Sequence, residues 1–229
     1  MCEGVALRCA TVILPLAPPS RADDGYELLC LGAHSDDIEI GCGGTLLRLL
    51  REWPISRATW VVLSGDSTRA AEARRSARRV LGRRIDARIV QATFRENYFP
   101  HTAIPIKEFF DELRSEVEPD VVLTHYRDDR HQDHRLVSEL TYNTFRNHLV
   151  LEYEIVKLDG DIGTPNVYVA LDPPTVDRKI RLLMDGFGTQ RDRRWFDEDV
   201  FRGIMRIRGM EAGAPSGFAE AFYGRKLLV

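Results

Sequence analysis

Two short segments concentrate the groups able to do acid–base and metal chemistry. Residues 33–46 read AHSDDIEIGCGGTL, and residues 125–134 read HYRDDRHQDH. Four of the six histidines fall in these segments, with His101 and His148 lying apart, so the clustering itself asks for an explanation. Adjacent carboxylates repel unless a cation lies beside them, and His with Asp supplies the N and O donors that Zn²⁺ accepts at about 2.0–2.2 Å. A catalytic zinc takes three protein ligands and keeps a position for water. His34, Asp37 and His134 are the expected set, for Zn²⁺ or another divalent metal such as Fe²⁺. Neighbouring loop residues point apart, so Asp36 is expected to face the water as general base and later to protonate the leaving group. His131, three residues before His134, can share its helix face. It is expected to stabilise an oxyanion as an imidazolium, with Asp133 orienting it. Taken singly, the first motif reads as a helix N-cap and the second as a solvated helix start. Asp128, Asp129 and His125 are read as turn residues or as supports of the ligands.

These residues need strands to carry them to one place. Residues 27–32 (ELLCLG) form a short apolar run bounded by turn formers, as a buried strand does, and the first motif follows at once. Residues 45–51 read as helix, 58–64 as a second strand, and 69–81 as a helix capped from 65–68 and closed by Gly82. A strand over 85–91, an amphipathic helix over 104–117 and a strand over 120–124 follow, and the second motif trails that last strand into a helix over 132–145. Strands alternating with helices imply an α/β fold, Rossmann-like, with a mostly parallel sheet and helices on both faces. Ligands then collect at the carboxyl ends of the strands, where both motifs fall. Strands over 151–156 and 167–171 and helices over 175–184 and 197–207 complete the pattern. Residues 25–229 read as one domain after an N-terminal extension over 1–24. In that extension the apolar residues 5–17 are either loose or an added strand.

With 229 residues and 44% hydrophobic composition, the chain can bury a sizeable core. A net charge of -3 supplies no global basic field, so neither nucleic acid nor an anionic membrane is the expected partner, and a small molecule is. Cys2, Cys9, Cys30 and Cys42 form no CxxC pair and read as free thiols, which favours a reducing cytoplasm. Gly41-Cys42-Gly43-Gly44 lacks nucleotide-loop spacing and follows an acidic cluster, so close helix–sheet approach is the better account of it. The strands near 151–171 are candidates for pairing between subunits.

At these motifs the chain resembles the PIG-L/LmbE-like family of zinc-dependent de-N-acetylases. The family's AHPDDxxxGxGGTL is matched over 33–46, and its PDxV strand and DxHxDH by Pro119-Asp120-Val121-Val122 and residues 129–134. Arg69 and Glu72 before Leu81-Gly82, and Ala219-Glu220-Ala221-Phe222, add support. The resemblance implies metal ligation by His34, Asp37 and His134, a base at Asp36, an oxyanion role for His131 and a substrate-binding Arg69. It further implies removal of acetyl from an N-acetylglucosamine-type sugar on a small conjugate such as a secondary metabolite, a nucleotide or a thiol precursor. An amidase for a larger acyl group, and a metal- or sugar-binding protein without turnover, are the alternatives; a second carboxylate beside the ligand tells against the latter. Ser35 replaces the usual proline, and Phe187 stands where many members carry histidine.

Overall fold

The computed structural model describes residues 25–227; the expected extension, with Cys2 and Cys9, lies outside them. Strands β1 (Tyr26–Gly32), β2 (Ile55–Ser64), β3 (Asp86–Phe94), β4 (Val121–His125), β5 (Leu149–Tyr153), β6 (Val167–Ala170) and β7 (Ala219–Gly224) form one seven-stranded sheet in the order β3-β2-β1-β4-β5-β7-β6. The first five are parallel, and β7 enters antiparallel to both β5 and β6. This is the expected α/β arrangement.

Residues alternate across each strand, which divides the apolar side chains between two cores. Leu28, Cys30, Trp60 and Val62 face one core, shared with helices α1 (Asp37–Glu52), α2 (Ser67–Leu81), α5 (Pro173–Gly186) and α6 (Glu198–Glu211). Leu29, Leu31, Val61 and Leu63 face the other, covered by α3 (Ala103–Glu116) and α4 (Gln132–Thr144). A sheet covered on both faces explains the continuous apolar strands. Cys30 and Cys42 are buried free thiols, and burial pushes both well above the usual thiol range.

Two elements differ from expectation. Helix α1 starts at Asp37 rather than at residue 45, because the glycine cluster bends it at Cys42 (φ -143°, ψ 17°) without ending it. Strand β7, unmarked in the sequence, fills the place between β5 and β6. Two of the three glycines are close-approach residues: a Cβ on Gly41 would lie 2.1 Å from the Tyr153 ring and one on Gly44 2.6 Å from Leu171, whereas one on Gly43 would meet nothing nearer than 3.7 Å. Tyr153 is fully buried and donates from its hydroxyl to the Leu31 carbonyl (2.6 Å), which fixes the end of β1 against β5. Gly41→Ala is therefore expected to lower stability by about 1–3 kcal/mol through overpacking against Tyr153, read from the urea unfolding midpoint. An unchanged midpoint would show that the contact can relax freely.

Candidate metal centre

The topology places β1 and β4 side by side, so the segments after them meet at one rim. His34 follows β1, and Asp36 and Asp37 open α1. His125 ends β4, and His131, Asp133 and His134 open α4. All are buried except His131, which is half-buried. The Ala33 N–H donates to His125 Nε2 (3.0 Å), and Ser64 Oγ donates to the Ala33 carbonyl (2.7 Å), so three strand ends hold the residue before His34.

The three residues expected to bind metal converge. His34 Nδ1 lies 3.1 Å from His134 Nε2 and 3.3 Å from Asp37 Oδ2, and His134 Nε2 lies 3.5 Å from Asp37 Oδ1. Donors about 2.0–2.2 Å from one tetrahedral ion stand roughly 3.3–3.6 Å apart, so these pairwise separations are close to those of a zinc site, with the two imidazoles approaching different oxygens of Asp37. The opposite ring nitrogens are held by carboxylates: His34 Nε2 by Asp133 (3.2 Å) and His134 Nδ1 by Asp129 (3.0 Å). Each far nitrogen thus faces a carboxylate, and the two near nitrogens face each other. A carboxylate behind each metal-facing imidazole is the usual support of a metal site. The residues present thus fit a divalent cation: two imidazole nitrogens and a carboxylate meet, and each imidazole is backed by a second carboxylate. Donor atoms of His34, His131 and His134, and of Asp37, His125 and His134, also lie within 4.8 Å of one another, and His134 belongs to both sets.

Electrostatics follow from burial and these contacts. Burial opposes charge on His34, yet Asp37 and Asp133 outweigh it and hold the ring up at about 10. Burial likewise works against the Asp37 carboxylate, but His134, His125 and His34 hold it well below the usual range. Asp36 is pushed up to about 6 by burial and by the Asp37 charge, against the opposing pull of Arg69. Burial and the neighbouring His134 push His125 down to about 4.

Asp36 occupies the N-cap position of α1 but makes no side-chain cap bond, so the plain N-cap reading fails. One of its oxygens stands 3.7 Å from Arg69 Nη2, and the other is buried without a hydrogen-bond partner among the described residues. Arg69 donates from Nε to Ser35 Oγ (3.1 Å) and from Nη1 to Glu96. Ser35, which stands where the family usually has proline, supplies an acceptor that proline lacks. Glu72 receives the Thr189 N–H (3.1 Å) and hydroxyl (2.6 Å), fastening the turn after α5.

The expected pairing of Asp133 with His131 is corrected by the structure. Asp133 accepts from His34, from the Asn97 N–H (2.6 Å) and from the Phe99 N–H (3.1 Å), because the first turn of α4 points its carboxylate across the site. His131 Nδ1 instead accepts the Asp133 N–H (3.2 Å), which leaves Nε2 to carry the proton, 3.2 Å from Asn97 Oδ1. Burial and the neighbouring His134 and His34 lower its basicity. Asn97 itself adopts a left-handed backbone (φ 68°), a conformation asparagine tolerates better than most residues. Phe187 is fully buried in the core beside Phe196, so it offers no contact where relatives carry histidine.

Sequence reasoning missed Asn97 and Glu96, which no motif marks, and left Asp129 and His125 open between turn residues and supports of the ligands. Asp129 had a signal: it begins the DxHxDH run and is buried, whereas Asp128 is exposed.

A Rossmann-like sheet carrying a His–Asp cluster able to hold a metal ion at the rim between β1 and β4 defines the class. The GlcNAc-PI de-N-acetylase (PIG-L) family model matches residues 29–145, and the chain belongs to that family. The uncharacterised deacetylase YaiS of Escherichia coli K12 is 33% identical over 134 residues, covering 55% of this chain and 71% of that protein. Among solved structures, N,N'-diacetylchitobiose deacetylase from Pyrococcus horikoshii aligns with TM-score 0.65 at 21% identity, over 88% of this chain and 84% of that one. GalB, the 4-carboxy-2-hydroxymuconate hydratase of Pseudomonas putida KT2440, aligns with TM-score 0.68 at 18% identity, over 89% and 98%. The fold therefore serves more than one reaction.

His134→Ala is expected to abolish stoichiometric zinc binding in equilibrium dialysis. Asp129→Asn should weaken it by about 10–100-fold, because the amide no longer holds the imidazole as a carboxylate does. Retention of full-affinity zinc by either variant would remove that residue from the site.

Proposed function

We propose that this chain is a metal-dependent amide hydrolase that removes acetyl from an N-acetylglucosamine-type sugar on a small conjugate. The observation that carries the proposal is the meeting of His34, Asp37 and His134, together with an adjacent residue, Asp36, that keeps one buried oxygen without a partner among the described residues. Family membership supports amide hydrolysis over the water addition that the same fold performs in GalB. The likeness to a chitobiose deacetylase supports an acetylated amino sugar as substrate. Among the described residues no helix is long and apolar enough to cross a membrane, which is compatible with a small conjugate as substrate.

His34 Nδ1, Asp37 and His134 Nε2 would hold the cation. When bound, it supplies Lewis acidity toward the acetamide carbonyl and lowers the pKa of water to around 7. Asp36 takes a proton from the attacking water as the new C–O bond forms. His131 donates from Nε2 to the carbonyl oxygen as negative charge gathers there. Asp36 then returns its proton to the nitrogen as the C–N bond breaks, leaving acetate and a free amino sugar. Arg69 steadies Asp36, and Asp133 and Asp129 keep the two imidazoles in the required tautomers. The turn carrying Asn97, pinned to Asp133, keeps an acceptor beside His131 until substrate oxygen replaces it.

The test is acetate release from a panel of N-acetylglucosamine conjugates, with longer N-acyl analogues alongside. Release should stop with chelator and return with added Zn²⁺ or Fe²⁺. Asp36→Asn should retain bound metal while kcat falls by about 10²–10⁴-fold. Release that survives chelation would overturn the proposal, and preference for the longer acyl chains would reassign the chain as a larger-acyl amidase.

A further inference from the structure

The bend in α1 at Cys42 divides the helix into a first part beginning at Asp37 and a second part running to Glu52. In an unbroken helix the Gly44 N–H donates to the Ile40 carbonyl four residues back. Here these two groups are engaged by side chains from the last third of the chain. Glu220, on β7, accepts the Gly44 N–H (2.8 Å) on one oxygen and the Thr45 N–H (2.6 Å) on the other. Lys179, on α5, donates to the Ile40 carbonyl (2.6 Å) and to Glu220 (2.6 Å). Both side chains are at most 4% exposed. An ion pair thus sits at the bent rung, its anion on the amides and its cation on the carbonyl.

We propose that Lys179 and Glu220 are positioning residues that set the angle of the first part of α1 and so hold Asp36 and Asp37 at the metal centre. This inference rests on the cation site proposed above. A buried pair is a poor source of stability against well-packed apolar residues, so its presence calls for another role. Its place supplies one. Asp37 lies one turn before Ile40, whereas His134 stands on α4, so a change in the angle of this turn moves Asp37 relative to His134. Gly44 belongs to the same device, since a Cβ there would lie 3.0 Å from Glu220 Oε1. The Ala219-Glu220-Ala221-Phe222 motif lies outside the residues 29–145 that the family model matches, and through Glu220 it reaches the centre without touching it.

The test uses the full chain and Zn²⁺ competed against a chromogenic chelator. Removing one partner would strand a buried charge, so the variant is the neutral double, Lys179→Met with Glu220→Gln. Its folded, metal-free form should bind Zn²⁺ at least tenfold more weakly than wild type. Phe201→Leu, in the α6 core, serves as the control: it should lower the unfolding midpoint and leave Zn²⁺ affinity unchanged. A double variant with wild-type affinity overturns the proposal. Wild-type protein supplies a second measurement if the double variant does not fold. Because coupling is reciprocal, the Gly44 and Thr45 amides should exchange more slowly with solvent when Zn²⁺ is bound. Equal exchange rates with and without Zn²⁺ overturn the positioning role. Wild-type protein that binds no stoichiometric Zn²⁺ instead overturns the metal-site reading itself.

Discussion

Two imidazole nitrogens and a carboxylate are turned toward one another between the ends of β1 and β4, and much of the surrounding structure serves that convergence. His34 and His134 are 100 positions apart in the chain, yet their near nitrogens are 3.1 Å apart. The strand order makes this meeting possible. The chain leaves β1 for the helix layer of α1 and leaves β4 for the opposite layer of α4, opening a crevice where the direction of winding changes. That switch point is where open α/β sheets bind their ligands.

Holding such a cluster dry is unfavourable unless each polar atom is answered. Asp133 and Asp129 each anchor one imidazole and also bind a neighbouring loop: Asp133 takes two amides of the 97–99 turn, while Asp129 takes the His131 N–H and a 3.0 Å ion pair from Lys157. Lys157 also pairs with Asp161, and the Arg130 N–H donates to Asp161 (2.8 Å), so the loop after β5 is stapled to the loop after β4. The centre is thus the knot joining several otherwise independent loops. Among the described residues the exceptions in the cluster are Asp36 and His125, each with a buried polar atom that has no partner, the kind of local unfavourable feature that active sites retain.

The alternation of apolar runs and helical stretches made the parallel half of the sheet legible, and strand-end placement of two acidic histidine motifs made the ligand set legible. The start of α1 was not, because four residues containing three glycines read locally as a stop. What keeps the helix going is tertiary: the Tyr153 ring against Gly41, and Lys179 with Glu220 at the bend. Strand β7 escaped for a related reason, being a short alternating segment defined by its pairing with β5 and β6. Proximity in sequence also misled. Asp133 is two residues from His131, but its carboxylate projects to His34, ninety-nine positions away, a direction fixed by the first turn of α4.

Anomalous diffraction at the zinc edge, from crystals of the metal-loaded protein, tests the central claim most directly. The structure predicts one strong peak bounded by His34 Nδ1, Asp37 and His134 Nε2, about 2.0–2.2 Å from each donor. A peak elsewhere on the molecule, or a refined structure in which His34 and His134 stand too far apart to share one ion, would contradict it.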